Sequence, residues 1–223
     1  PDANFHGGDS FSFTVSNGTY TSSASSVSLS ITSVNDLPIV TTPLISVSLS
    51  EDSHTTITLS GSDVDGQLLT FLIADNPENG TLGNIIGLDP TSASVTYAPN
   101  ANYYGSDSFL YLVYDGENYS SEGEVSITVN SVNDVPKAAT QTINGTEEVP
   151  FVITLSATDI ENSHLDFTVL TNPLHGTLGS FTQLSSTTTQ ATYTPNDNFY
   201  GSDAFTFKVN DGTDDSNYQS IYL

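Results

Sequence analysis

The 223-residue chain has no cysteine, and Lys137 and Lys208 are its only lysine or arginine residues. Without cysteine a disulfide framework is excluded, so stability has to come from a packed core or from bound metal. Against the two lysines stand 26 Asp and Glu, a formal net charge of −24. A surface of that sign repels phosphate backbones, which excludes nucleic acid as a partner, and it disfavours an anionic membrane surface. It also repels itself, opposing compaction unless cations neutralise part of the charge. No apolar run approaches the roughly 18 residues that a membrane-spanning helix needs. No 3.6-residue apolar stripe marks a helix of any kind. Even so, 36% hydrophobic and 10% aromatic residues, set in clean alternation, suffice for a core and argue against a disordered chain.

What the sequence does contain is a repeat. Ser33-Val34-Asn35-Asp36-Leu37-Pro38 returns as Ser131-Val132-Asn133-Asp134-Val135-Pro136, a separation of about a hundred residues, one small β domain per period. Other anchors recur in the same order. Tyr97-Ala-Pro99-Asn100 matches Tyr193-Thr-Pro195-Asn196, and Tyr104-Gly-Ser-Asp-Ser-Phe109 matches both Tyr200-Gly-Ser-Asp-Ala-Phe205 and His6-Gly-Gly-Asp-Ser-Phe11. Residues 1–38 therefore read as the tail of one copy, 39–136 as a complete copy, and 137–223 as a copy lacking its exit linker. Within a copy the period is two. Phe109-Leu-Tyr-Leu-Val113 and Phe205-Thr-Phe-Lys-Val209 put aromatics on one face, as a half-buried strand requires. Turn dipeptides separate such runs at Asp65-Gly66, Asn79-Gly80, Asp115-Gly116 and Asp211-Gly212. About seven short strands per copy predict an all-β chain of tandem immunoglobulin-like Greek-key sandwiches. Residues 1–38 supply only two strands, which are marginal alone. The expectation is a piece of a longer protein, or strands completed by another chain.

The acids gather at strand ends. In a seven-strand sandwich successive loops alternate between the two ends, so each linker should meet the upstream-end loops of the domain after it. That brings Asp9, Asn35 and Asp36 toward Asp63, Asp65 and Asp115. It brings Glu51, Asp107, Asn133 and Asp134 toward Asp159, Glu161 and Asp211. Crowded carboxylates in a chain with only two lysines call for a hard divalent cation. Calcium, which takes about 6–8 oxygen ligands in flexible geometry, is the expected ion. Zinc or copper is implausible with no cysteine and four dispersed histidines (6, 54, 164, 175).

These motifs resemble the cadherin-like tandem repeats of large bacterial surface adhesins over essentially the whole chain. Val-Asn-Asp-x-Pro at 34–38 and 132–136 is similar to that family's linker. Asp63-Val-Asp65 and Asp159-Ile-Glu161 resemble its upstream-end acid pair, and Glu51 and Glu147 its first-strand glutamate. Asp107 and Asp203 resemble the acid before the sixth strand, Asp115 and Asp211 the acid after it. The resemblance implies Greek-key sandwiches that bind calcium between domains and stiffen on doing so. The chain departs from the pattern where Ser33 and Ser131 stand in place of an acid, and where Phe109 and Phe205 replace a second one. Those departures imply fewer ions per junction.

Plainer readings stand beside these. An Asp-Gly turn is a favourable surface hairpin in its own right, and exposed surface suits Asp52 and Glu148. Asp63 and Asp65 as an acid–base pair for glycoside cleavage is disfavoured, because the pair recurs in the next copy and no activated nucleophile accompanies it. An enzyme is not expected. Most aromatics read as core, while Tyr114, Tyr119 and Tyr218 fall outside the pattern and are candidates for exposure. Glycosylation sequons at Asn17, Asn79, Asn118 and Asn144 matter only in a host that uses them. The sequence thus predicts an extracellular, calcium-stiffened stalk whose partners are its neighbouring repeats. Two other readings are a filament or surface-layer subunit completed by a neighbouring chain's strands, and a carbohydrate-binding module. The last would need an exposed aromatic pair on one sheet face.

Overall fold

The computed structural model describes residues 1–161 and 164–223. It falls into two compact units, Pro1–Asn130 and Ser131–Leu223.

The first unit begins with an antiparallel ribbon, β1 (Gly7–Phe13) and β2 (Ser25–Ile31), paired from Gly7–Ile31 to Phe13–Ser25. A sandwich follows, made of β3 (Ile39–Val40), β4 (Leu44–Ser50), β5 (Thr55–Ser62), β6 (Thr70–Asp75), β7 (Gly80–Leu82), β8 (Ile86–Asp89), β9 (Ser92–Pro99), β10 (Gly105–Tyr114) and β11 (Gly123–Asn130). These nine segments amount to seven strands. The first is split, β3 pairing β5 in one sheet and β4 running parallel to β11 in the other. The switch falls at residues 41–43, where Pro43 has no N–H to give a ladder. The fourth is interrupted, β7 and β8 lying in succession along β9. One sheet is ordered β4-β11-β10-β6 and the other β3-β5-β9-β7, with β8 on β9.

Period-two sequence becomes period-two burial. Phe109, Tyr111 and Val113 of β10 and Val95 and Tyr97 of β9 are at most 1% exposed, facing each other across the core. Each such side chain contributes about 1.5–3 kcal/mol by leaving water. Phe11 and Phe13, the ribbon's counterparts of Phe109 and Tyr111, are 55% and 47% exposed. The ribbon carries the core pattern of the repeat without the opposing sheet.

The second unit repeats the plan with β12 (Lys137–Ala138), β13 (Gln141–Thr142), β14 (Phe151–Thr158), β15 (Asp166–Thr171), β16 (Gly176–Leu178), β17 (Thr182–Ser185), β18 (Thr188–Pro195), β19 (Ala204–Asn210) and β20 (Gln219–Tyr222). Its sheets are β13-β20-β19-β15 and β12-β14-β18-β16, with β17 on β18. Asn4, Asn102 and Asn198 all hold the left-handed backbone, φ 62°, 58° and 58°, before the sixth strand of their copy. Asparagine tolerates that region better than most residues.

Gly80 differs from its expected role. Gly66, Gly116 and Gly212 hold the positive φ of turns, but Gly80 opens β7 without one. A Cβ there would lie 2.4 Å from the Tyr97 ring, and one on Gly176 would lie 2.3 Å from Tyr193. Glycine is required at both positions so that the tyrosine can pack against the backbone.

Candidate functional site

In the first unit the linker before β3 is bonded to the upstream-end loops of the sandwich. The Asp36 amide donates to Asp65 Oδ2 at 2.8 Å, and the Ser33 hydroxyl donates to Asp65 Oδ1 at 3.3 Å. Asn35 Nδ2 donates to Asp115 Oδ2 at 2.9 Å, and Gln67 Nε2 donates to Asn35 Oδ1 at 2.6 Å. Asp63 is tied in through its Oδ1, which accepts the Asp65 amide at 2.8 Å. Asn35, Asp36, Asp63, Asp65 and Asp115 are thus linked by hydrogen bonds. Asp36 and Asp65 also line an open cleft of about 280 Å³ with Asp2, His6 and Ser33.

The second unit builds the same arrangement. The Asp134 amide donates to Glu161 Oε2 at 3.1 Å, and Asn133 Nδ2 donates to Asp211 Oδ2 at 2.9 Å. Asn133 Nδ2 reaches a further carboxylate, Asp214 Oδ2, at 3.1 Å. Asp159 is half-buried just after β14, at the position of Asp63 in the first unit.

Asp115 and Asp211 are held alike. Asp115 Oδ1 accepts the amides of Glu117 and Asn118, both at 2.6 Å, and Asp211 Oδ1 accepts those of Thr213 and Asp214, both at 2.7 Å. Burial works against the Asp115 charge, but bonds from Asn118, Asn35 and Glu117 outweigh it and hold the carboxyl below its usual range. At Asp211 the Asp214 amide is the largest influence, desolvation opposes it, and the Asn133 side chain adds to the lowering. Asn17 of the ribbon accepts the Thr19 and Tyr20 amides in the same way. That shared turn makes Asn17 the counterpart of the two aspartates.

Two predicted residues, Asp107 and Asp9, lie in other settings. Asp107 is buried inside its own sandwich, where it accepts the Tyr97 hydroxyl at 2.8 Å and the amides of Glu78, Asn79 and Ser108. Asp203 does the same with Tyr193, Leu174, His175 and Ala204. Asp9, their counterpart in β1, is exposed and accepts the Ser10 amide. Glu51 is 3% exposed at the end of β4, its amide donating to Asn130 O.

Several buried oxygens have no hydrogen-bond partner among the described residues, notably Asp63 Oδ2, Gln67 Oε1 and Glu161 Oε1. A buried, unsatisfied acceptor costs free energy, about 1–3 kcal/mol and more when charged. Oxygen atoms of this kind beside further carboxylates form a donor set that fits a hard cation. Gln67 and Asp214 belong to these sets and were missed from sequence. The signal for Asp214 was present, since Asn118 holds the equivalent place in the first unit; an amide such as Gln67 offers no charge to notice.

With this geometry, the comparisons with known proteins define the class. The bacterial Ig domain family matches residues 35–128 and 133–223, and the chain belongs to that family as two tandem copies. Among curated proteins it is similar to integrin beta-like protein B of Dictyostelium discoideum, 29% identical over 126 residues, covering 52% of this chain and 6% of that protein. It is also similar to integrin beta-like protein C of the same organism, 29% identical over 165 residues, covering 66% of this chain and 8% of that protein. The chain therefore spans less than about a tenth of these relatives' length. Among solved structures it is similar to extracellular cadherin domains 3–6 of protocadherin gamma B2, with TM-score 0.45, 14% identity, and coverage of 83% of this chain and 47% of that one. It is also similar to an endo-fucoidan hydrolase of glycoside hydrolase family 107, with TM-score 0.41, 20% identity, and coverage of 100% and 34%. All-β, immunoglobulin-like tandem repeats are the architecture of this chain.

Proposed function

We propose that these domains are calcium-stiffened extender repeats of an extracellular adhesin, with no catalytic role. The observation that carries the reading is the linker pinned to acids of the domain it precedes, in two copies, beside buried carboxylate oxygens with no hydrogen-bond partner among the described residues. Asn35, Asp36, Asp63, Asp65 and Asp115 would hold the ion in the first set, with Gln67 adding an amide oxygen. Asp134, Asp159, Glu161, Asp211 and Asp214 are the corresponding residues in the second. Bound calcium supplies positive charge that the chain itself lacks, within an all-oxygen shell.

The residues do the remaining work. The linker asparagine bridges to the turn aspartate, and the linker aspartate's amide fixes the first loop. Both ties restrict how the chain enters the sandwich even before metal arrives. An ion held by linker and loop together would stabilise the docked linker by mass action. A row of such repeats would then act as a semi-rigid rod, presenting distal domains away from a cell surface. Among the described residues no helix is long and apolar enough to cross a membrane.

Chelation tests this directly. Removing calcium with EDTA should lower the melting temperature and change the radius of gyration in small-angle scattering. Restoring calcium, but not an equal ionic strength of sodium chloride, should reverse both. A chain indifferent to chelator in both measurements would refute the reading.

A further inference from the structure

The outward face of the β4-β11-β10-β6 sheet differs in chemistry from its counterpart in the second unit. In the first unit Leu112 pairs with Leu72, Tyr114 pairs with Thr70, and the Tyr114 ring stacks on Tyr119 with centroids 4.5 Å apart and planes at 30°. The equivalent positions in the second unit carry Lys208 opposite Thr168, Asn210 opposite Asp166, and Asp215 bonded to both Lys208 and Asn210. In the ribbon the matching bridge joins Ser16 and Thr21. The same hairpin is polar in two copies and aromatic in one, so the fold does not require the tyrosines.

The pair is also held in place. Tyr114 and Tyr119 form a backbone bridge, and the Tyr114 hydroxyl donates to the Gly116 carbonyl at 2.5 Å. Tyr119 nevertheless stays 56% exposed. It forms one wall of a groove of about 540 Å³, whose other sides include Leu37, Pro38, Ile39 and Pro43. That volume is within the range of ligand clefts. The corresponding depression in the second unit is about 230 Å³ and has no aromatic wall.

We propose that this groove and the stacked tyrosines bind a neutral polysaccharide, one sugar ring lying against the exposed face of Tyr119. The surroundings select against other occupants. Residues 1–130 contain no lysine or arginine, and Glu117, Glu122 and Glu124 are exposed around the face. An anionic glycan is therefore repelled, as is a second copy of a chain carrying −24. A peptide adding a strand in this groove would need a free ladder edge there, but β3, the strand that lines it, has two residues and lies between Pro38 and Pro43. A hydroxyl-rich, uncharged ligand with an apolar ring face meets none of these objections, and a pre-positioned tyrosine lowers the ordering cost of binding it.

Affinity electrophoresis of the whole chain through gels containing dextran, mixed-linkage β-glucan, xylan, galactomannan or dextran sulfate tests the proposal, with and without EDTA. Retardation by at least one neutral polymer is expected. Tyr119→Ala should weaken it at least about tenfold, Tyr119→Phe should keep it, and Tyr218→Ala, at an exposed tyrosine of the second unit, should leave it unchanged. A Tyr119→Ala melting temperature close to the parent's shows that the fold survives. No retardation by any neutral polymer, equal retardation by dextran sulfate, or undiminished binding by Tyr119→Ala overturns the proposal. So does a monomer–dimer equilibrium in sedimentation that Tyr119→Ala abolishes, which would assign the face to a second copy.

Discussion

Asp63→Asn separates a metal-binding acid from a merely solvated one by the sign of its effect. The asparagine keeps a side-chain carbonyl where Asp63 Oδ1 accepts the Asp65 amide at 2.8 Å, so the turn is preserved. What is lost is one negative charge beside Asp36, Asp65 and Asp115, together with a buried oxygen that has no hydrogen-bond partner among the described residues. Without calcium, removing that charge relieves repulsion and should stabilise the first unit by about 0.5–1 kcal/mol, a modest near-surface value. With calcium the sign reverses. If the parent binds with a dissociation constant of about 10⁻⁴ M, as extracellular modules do, 10 mM calcium contributes about 2.7 kcal/mol. A hundredfold weaker variant gains only about 0.4 kcal/mol from the same calcium by that relation. The variant should therefore melt higher than the parent in EDTA and lower in 10 mM calcium, by roughly 5–15 °C in the second case. Far-UV circular dichroism follows the melt, and sodium chloride at matched ionic strength controls for screening. A shift of the same sign in both buffers would show that Asp63 is ordinary surface and refute the reasoning.

Two further outcomes concern the buried tyrosine–aspartate pairs. Tyr97→Phe removes a hydroxyl bonded to a carboxylate at 2.8 Å while leaving Asp107 its three amide donors; the cost should be about 1.5–2 kcal/mol, read from urea unfolding midpoints at unchanged m-value. Asp203 is held below its usual carboxyl range, because bonds from the Leu174 and His175 amides and the Tyr193 hydroxyl outweigh the opposing desolvation. A depressed folded-state pKa gives stability that is complete above the unfolded value of about 3.9 and lost as pH falls through the folded value. Asp203→Asn should therefore be less stable than the parent at pH 7, with the gap closing below about pH 4; a gap that widens in acid would contradict that linkage.

Much of this was legible in the sequence because a sandwich strand writes its burial into every second residue. Phe109, Tyr111 and Val113 are buried as alternation requires, and the repeated Asn-Asp linker pointed to its bonds with Asp115 and Asp211. Position at a strand end was a weaker guide. Asp107 was grouped with linker acids, yet it lies in phase with Phe109 and Tyr111, and that parity turns it toward the core. A second signal was present in duplicate, since Tyr97 precedes Asp107 by ten residues and Tyr193 precedes Asp203 by ten. The requirement for Gly80 could not be read in advance. It comes from the close approach of the Tyr97 ring, a long-range contact rather than a local turn.

The acids of this chain divide by how their charge is met, and that division explains why the linker sets are where an external cation would have most effect. Lys208 with Asp215 is the one lysine–carboxylate ion pair among the described residues. Elsewhere compensation comes from the backbone. Asp107, Asp115, Asp203 and Asp211 each accept two or more amides. Amide dipoles stabilise a carboxylate without cancelling its charge, so they hold individual acids in place while the total stays negative. Such donors serve one carboxylate at a time, and where linker and loop bring several together, Asp63 Oδ2 and Glu161 Oε1 remain unserved among the described residues. Monovalent salt would screen that crowding from a distance but would not fill the oxygen positions. A divalent ion would do both, so the proposed calcium dependence would follow from how few basic residues the chain has as much as from where its acids sit.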